Sequence, residues 1–104
     1  MSVISREIKE SPLPAQGIDE KIAYSLTTTP WGSTPTSVVV KLKTWPDGKD
    51  VTTEHTSGSA STAGDVITTP LIIGLENGIH YRLEIQFVSS GNIFEAYGFV
   101  DGET

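Results

Sequence analysis

Cysteine is absent from the 104 residues, so neither a disulfide nor a thiolate metal site can form. That agrees with use in a reducing cytoplasm, although cysteine-free secreted domains are also common. Basic residues are scarce: seven Lys and Arg stand against thirteen Asp and Glu, a formal net charge of −6. No Lys/Arg cluster occurs, and such clusters dominate affinity for phosphate backbones, so nucleic-acid binding is not expected. Long apolar runs are missing too. The start Met1-Ser2-Val3-Ile4-Ser5-Arg6 lacks the apolar core of a signal peptide, and nothing approaches a membrane span. Neither secretion by the usual route nor membrane insertion is expected for the chain as given.

Motifs of catalysis are equally lacking. The two histidines, His55 and His80, show no ligand-spaced pair, and zinc needs three or four ligands converging on one point. His80 falls on the polar side of its strand and reads as a solvated histidine. The acidic residues are scattered, whereas a glycosidase pair must face across a cleft that a small domain has little room for. Asp47-Gly48-Lys49-Asp50 is a fragment of a calcium loop without the alternating ligands or the closing glutamate. There is no Gly-x-Ser-x-Gly elbow, and Ser57-Gly58-Ser59 and Ala63-Gly64-Asp65 lack the lysine and following helix of a phosphate loop. No enzyme activity, cofactor, metal or small-molecule substrate is expected.

What is present points to a small β domain. At this length one core forms without staples, because folding removes roughly two-thirds of the unfolded chain's surface from water. Ten glycines, six prolines and abundant Ser and Thr favour many turns and short strands. Residues 1–17, with Pro12-Leu13-Pro14, hold no lasting period and read as a flexible arm, either disordered or docked on a neighbouring subunit. From Ile18 to Thr104 strand signals take over. Ile22, Tyr24 and Leu26 alternate with Ala23 and Ser25; Val38, Val40 and Leu42 alternate with Val39, Lys41 and Lys43. Pro46-Asp47-Gly48 is a turn, Asp50 to Thr56 a weaker strand, and Ser57 to Gly64 a mobile loop or poorly packed edge. Asp65 to Leu71 reads as an edge strand, since Pro70 denies its ladder one donor. Ser89-Ser90-Gly91-Asn92 closes a final hairpin.

The run from Leu75 to Ile85 carries most information. Gly78 stands three residues before Tyr81, and Tyr81 opens a strand in which Ile79, Tyr81, Leu83, Ile85 and Phe87 face inward. Leu75, Gly78 and Tyr81 thus have the layout of a tyrosine corner, whose hydroxyl bonds backbone a few residues upstream. Six or seven short strands at eight- to twelve-residue spacing, with almost no helix, read as an antiparallel β-sandwich.

Aromatic residues provide the candidate contact surface. In the last strand Tyr97 and Phe99 alternate with the inward Ala96, Gly98 and Val100, so both sides carry apolar bulk. Tyr97 and Phe99, with Trp31, are candidate interface residues, because aromatic patches mark contact surfaces. The alternative is that the arm or a loop covers them. One of Trp31 and Trp45 is expected to plug the core's end, its indole N–H reaching a carbonyl.

Two resemblances add to this reading. Ile73 to Leu83 resembles the leucine–glycine–tyrosine corner of the fibronectin type III and immunoglobulin-like domains, with Asn77 where a proline is usual. More narrowly, Glu20-Lys21-Ile22-Ala23-Tyr24-Ser25-Leu26, Trp31, Ala63-Gly64-Asp65-Val66-Ile67-Thr68-Thr69, the corner and the Ser90 to Ala96 hairpin are similar to small structural proteins encoded among phage and prophage head and tail genes. That resemblance implies a non-enzymatic virion-associated role, through contacts with other virion proteins or self-association, assembled in the bacterial host cytoplasm. The alternative from another class is a receptor- or glycan-binding module of an adhesin or tail tip.

Overall fold

The computed structural model describes residues 15–29 and 31–103, and nearly all of its regular structure is strand. In chain order come β1 (Gln16–Gly17), β2 (Lys21–Ile22), β3 (Ser25–Thr27), β4 (Thr36–Thr44), the helix α1 (Thr52–His55), β5 (Thr56–Ser57), β6 (Ser61–Ala63), β7 (Val66–Thr68), β8 (Leu71–Ile73), β9 (His80–Ser89) and β10 (Asn92–Glu103). The protein is all-β. Residues 1–14 of the expected arm lie outside the described residues, while Gln16 and Gly17, at its end, pair in parallel with Gly102 and Glu103.

One sheet has the order β1-β10-β9-β4; two three-stranded sheets have the orders β2-β8-β5 and β3-β7-β6. The two small sheets are successive halves of one ribbon. Ile22 pairs with Ile72 and Ser25 with Thr68, so two residues on one side face three on the other. That extra residue is a β-bulge at Thr69-Pro70, where proline's missing N–H does no harm. Thr69 N–H donates to Tyr24 O at 2.8 Å, and Tyr24 N–H donates to the Thr69 hydroxyl at 2.9 Å, carrying the pairing across the break. Ten segments therefore follow six long paths plus β1. Pro70 does not mark an edge: β7 and β8 are central in their sheets, and β5 and β6 take the edge.

The stretch read as a weak strand from Asp50 is the helical turn α1. Local side-chain bonds override the β-branched composition there. The Asp50 carboxylate accepts from the Thr52 hydroxyl (2.7 Å) and the Thr52 N–H (2.9 Å), which together hold it below the usual carboxylate range. The Thr56 hydroxyl then donates to Thr52 O.

Leu26, Leu42, Ile67, Ile72, Leu75, Tyr81, Leu83, Ile85, Phe87, Ala96 and Val100 form one buried cluster drawn from both layers, a sandwich-like core. On β9 the inward set is the one that its alternation predicts. The Tyr81 hydroxyl accepts from the Glu76 N–H at 2.9 Å, and Gly78, at φ +82°, donates its N–H to Gly102 O at 3.0 Å. Those bonds fasten the crossing into β9 to the end of β10. Gln16 is fully buried: its amide donates to Ile72 O and Glu20 O and accepts from the Tyr24 hydroxyl. It ties β1 to the opposite layer.

Burial pushes the Tyr24 and Tyr81 hydroxyls above the ordinary phenol value, with the Glu20 charge adding to the effect at Tyr24. A raised folded-state value means that the neutral phenols stabilise the fold fully below about pH 10 and lose that contribution as pH rises through the folded values. In an ultraviolet titration, phenolate absorbance from these two of the three tyrosines should lag and appear together with unfolding. Ionisation of Tyr24 and Tyr81 near pH 10 in a still-folded protein would contradict this.

Candidate contact face on the four-stranded sheet

The inward alternation of β9 and β10 leaves the opposite residues on the outer face of the four-stranded sheet. The tight turn at Ser90-Gly91, both residues at positive φ, fixes the register. It sets Tyr97 opposite Glu84, Phe99 opposite Arg82 and Asp101 opposite His80, while β4 adds Lys41 beside Glu84 and Lys43 beside Arg82. Trp45 follows β4, its N–H donating to His80 O at 2.8 Å.

These residues form one aromatic and charged cluster. The Arg82 guanidinium carbon lies 4.5 Å from the Trp45 ring centroid and 4.3 Å from that of Tyr97, a cation between two π faces. Arg82 Nε is 3.0 Å from Glu84 Oε2, an ion pair whose N–H is not aligned for a hydrogen bond. Glu84 Oε1 takes Lys43 Nζ at 3.1 Å. Phe99 is the hub: it stacks on His80 at 5.0 Å and meets Tyr97 edge-on at 5.7 Å and Trp45 at 6.3 Å. His80 Nδ1 also contacts Asp101 Oδ1. A shallow groove of about 170 Å³ continues the face past Val39, Lys41, Gln86 and Glu95. It is well below the roughly 300–1,000 Å³ of small-molecule pockets.

Of the three candidate interface residues, the structure brings Tyr97 and Phe99 together and sets Trp31 apart. Trp31 packs edge-on against Phe87 at 6.5 Å, on the core side. Its indole N–H, expected to reach a carbonyl, is buried without a hydrogen-bond partner among the described residues. Arg82 and His80 were not among the interface candidates, and Trp45 was weighed only beside Trp31, as an aromatic at a strand end. The β9 alternation and the two-residue turn together placed Arg82 and His80 beside Phe99, but Trp45 arrives only through the non-local β4–β9 pairing. The histidines do not share a site: His55 Nδ1 lies 3.2 Å from Ile73 O, with its ring edge on Tyr81. Among the described residues no three of His, Asp or Glu come together in a way that would hold a metal ion.

Chemically, the cluster offers rigid aromatic rings and a stacked guanidinium, groups that dominate protein contacts because little side-chain entropy is lost on docking. Arg82→Ala should lower stability by about 1–2 kcal/mol, two ring contacts at roughly 0.5–1 kcal/mol each, read from the urea midpoint. Arg82→Lys should restore only part, since an ammonium cannot lie flat between two rings. Compared with known proteins, the chain matches no family model, no curated protein and no solved structure.

Proposed function

We infer that this chain is a non-enzymatic structural or assembly protein associated with a phage or prophage virion, acting through protein–protein contacts from the outer face of its four-stranded sheet. The observation that carries the contact role is the Trp45–Arg82–Tyr97 stack with Phe99 at its centre. Trp, Tyr and Arg are the residue types most enriched at binding hot spots. The virion setting rests on the sequence resemblance.

The finer fold reading is an immunoglobulin- or fibronectin-III-like sandwich, and the strand order supports it. Taking β2/β3, β7/β8 and β5/β6 as one layer and β4, β9 and β10 as the other reproduces the B-E-D and C-F-G orders of that architecture. The corner tyrosine then opens strand F, its usual position. The glycan-binding alternative calls for an aromatic in a polar loop cluster. Here the aromatic group lies on a sheet face, and Arg82 occupies one side of both Trp45 and Tyr97.

The flanking reading frames test the setting. Capsid, portal or tail genes on either side are expected; secretion or carbohydrate-use genes would overturn the virion reading.

A further inference from the structure

The chain has two asparagines, Asn77 and Asn92, and only Asn77 precedes a glycine. Glycine puts no Cβ beside its nitrogen, so an Asn-Gly bond is the most open to attack by the backbone on the side-chain amide. The Gly78 nitrogen bonds to Asn77 Cγ, the side-chain nitrogen leaves as ammonia with the displaced amide proton, and a five-membered imide forms. One water then opens either imide carbonyl, giving aspartate or isoaspartate.

Asn77 is exposed, and its side-chain amide makes no hydrogen bond among the described residues. The attacking nitrogen, by contrast, is held. Gly78 N–H donates to Gly102 O at 3.0 Å, and the flanking Glu76 N–H and Ile79 N–H are fixed to the Tyr81 hydroxyl and Glu76 O. We propose that Asn77 is the principal site of spontaneous deamidation in this protein, gated by the corner that contains it. Attack requires the Gly78–Gly102 bond to open, so the rate follows local opening rather than exposure of the side chain.

The product acts back on the structure. Isoaspartate inserts one carbon into the main chain between Glu76 and Gly78, the two residues whose N–H groups fasten the corner. Either product also adds a negative charge to a chain already at −6. A chain that has reacted cannot reclose the corner in its original register when the product is isoaspartate. Modification thus marks molecules whose corner has opened.

Incubation of the full chain at mildly alkaline pH, folded or held unfolded in urea, followed by peptide mass mapping, tests this. Conversion at Asn77 should be at least about tenfold slower in the folded protein, the ratio that ~1.4 kcal/mol of opening free energy supplies. Tyr81→Phe keeps the ring in the core but removes the bond to the Glu76 N–H, and should move the Asn77 rate towards the unfolded one. Asn92, followed by the branched Ile93, should stay intact in both proteins. Equal rates in folded and unfolded chains, no conversion at Asn77 in either, or an unchanged rate in folded Tyr81→Phe would each overturn the proposal.

Discussion

Replacing Gly102 by alanine should destabilise the protein by about 3 kcal/mol or more, the upper range for forcing an extra methyl group into a packed site. A Cβ at this position would run into the Glu76 carbonyl, 2.8 Å from its carbon and closer still to its oxygen. Those are backbone atoms and cannot rotate aside. Nor can the backbone retreat, since Gly102 N–H donates to Ile79 O and Gly102 O accepts from Gly78 N–H, each at 3.0 Å. Glycine is required wherever two backbones approach this closely. Against a total of roughly 5–15 kcal/mol for a domain of this kind, that loss leaves a marginal fold. Urea unfolding followed by circular dichroism reads it directly. A midpoint unchanged from the parent would mean that the close approach of β10 to the corner is wrong.

Phe87→Ala ranks beside it, with an expected loss of about 3–5 kcal/mol. Phe87 is fully buried, stacked on Phe94 at 5.5 Å and met edge-on by Trp31. Truncation loses the transfer free energy of the ring and leaves a cavity that two aromatic neighbours cannot fill without leaving their rotamers. Because Trp31 leans on the lost ring, its fluorescence should shift in the folded variant as well as at unfolding. A small loss with unchanged Trp31 emission would place Phe87 outside the core.

Several of these features were legible in the residues, for identifiable reasons. The alternation from Ile79 to Phe87 separates inward from outward side chains because a strand has a period of two. The Ser90-Gly91 turn then sets the β9–β10 register by loop length alone. Other features depend on contacts distant in sequence. Thr69-Pro70 reads locally as a strand interrupted by proline, and only the one-residue mismatch with Ala23-Tyr24 makes it a bulge in a central strand. Val51 to His55 is rich in β-branched residues, yet Asp50 and Thr56 bond the backbone into a helical turn. Gln16 lies in a stretch with no period at all, and its burial follows from carbonyls supplied by Glu20 and Ile72. The contact face was half visible for the same reason: Tyr97 and Phe99 declare themselves by alternation, whereas Trp45 joins them only once β4 has paired with β9.

The most direct test of the contact face in its proposed setting is mass spectrometry of gradient-purified particles from the host carrying this gene, comparing the parent chain with Arg82→Ala. The parent should co-purify with particles at fixed stoichiometry, while Arg82→Ala, folded and soluble by circular dichroism, should be depleted from them. Particles lacking the parent chain altogether, or carrying both chains equally, would contradict a virion role exerted through the Trp45–Arg82–Tyr97 face.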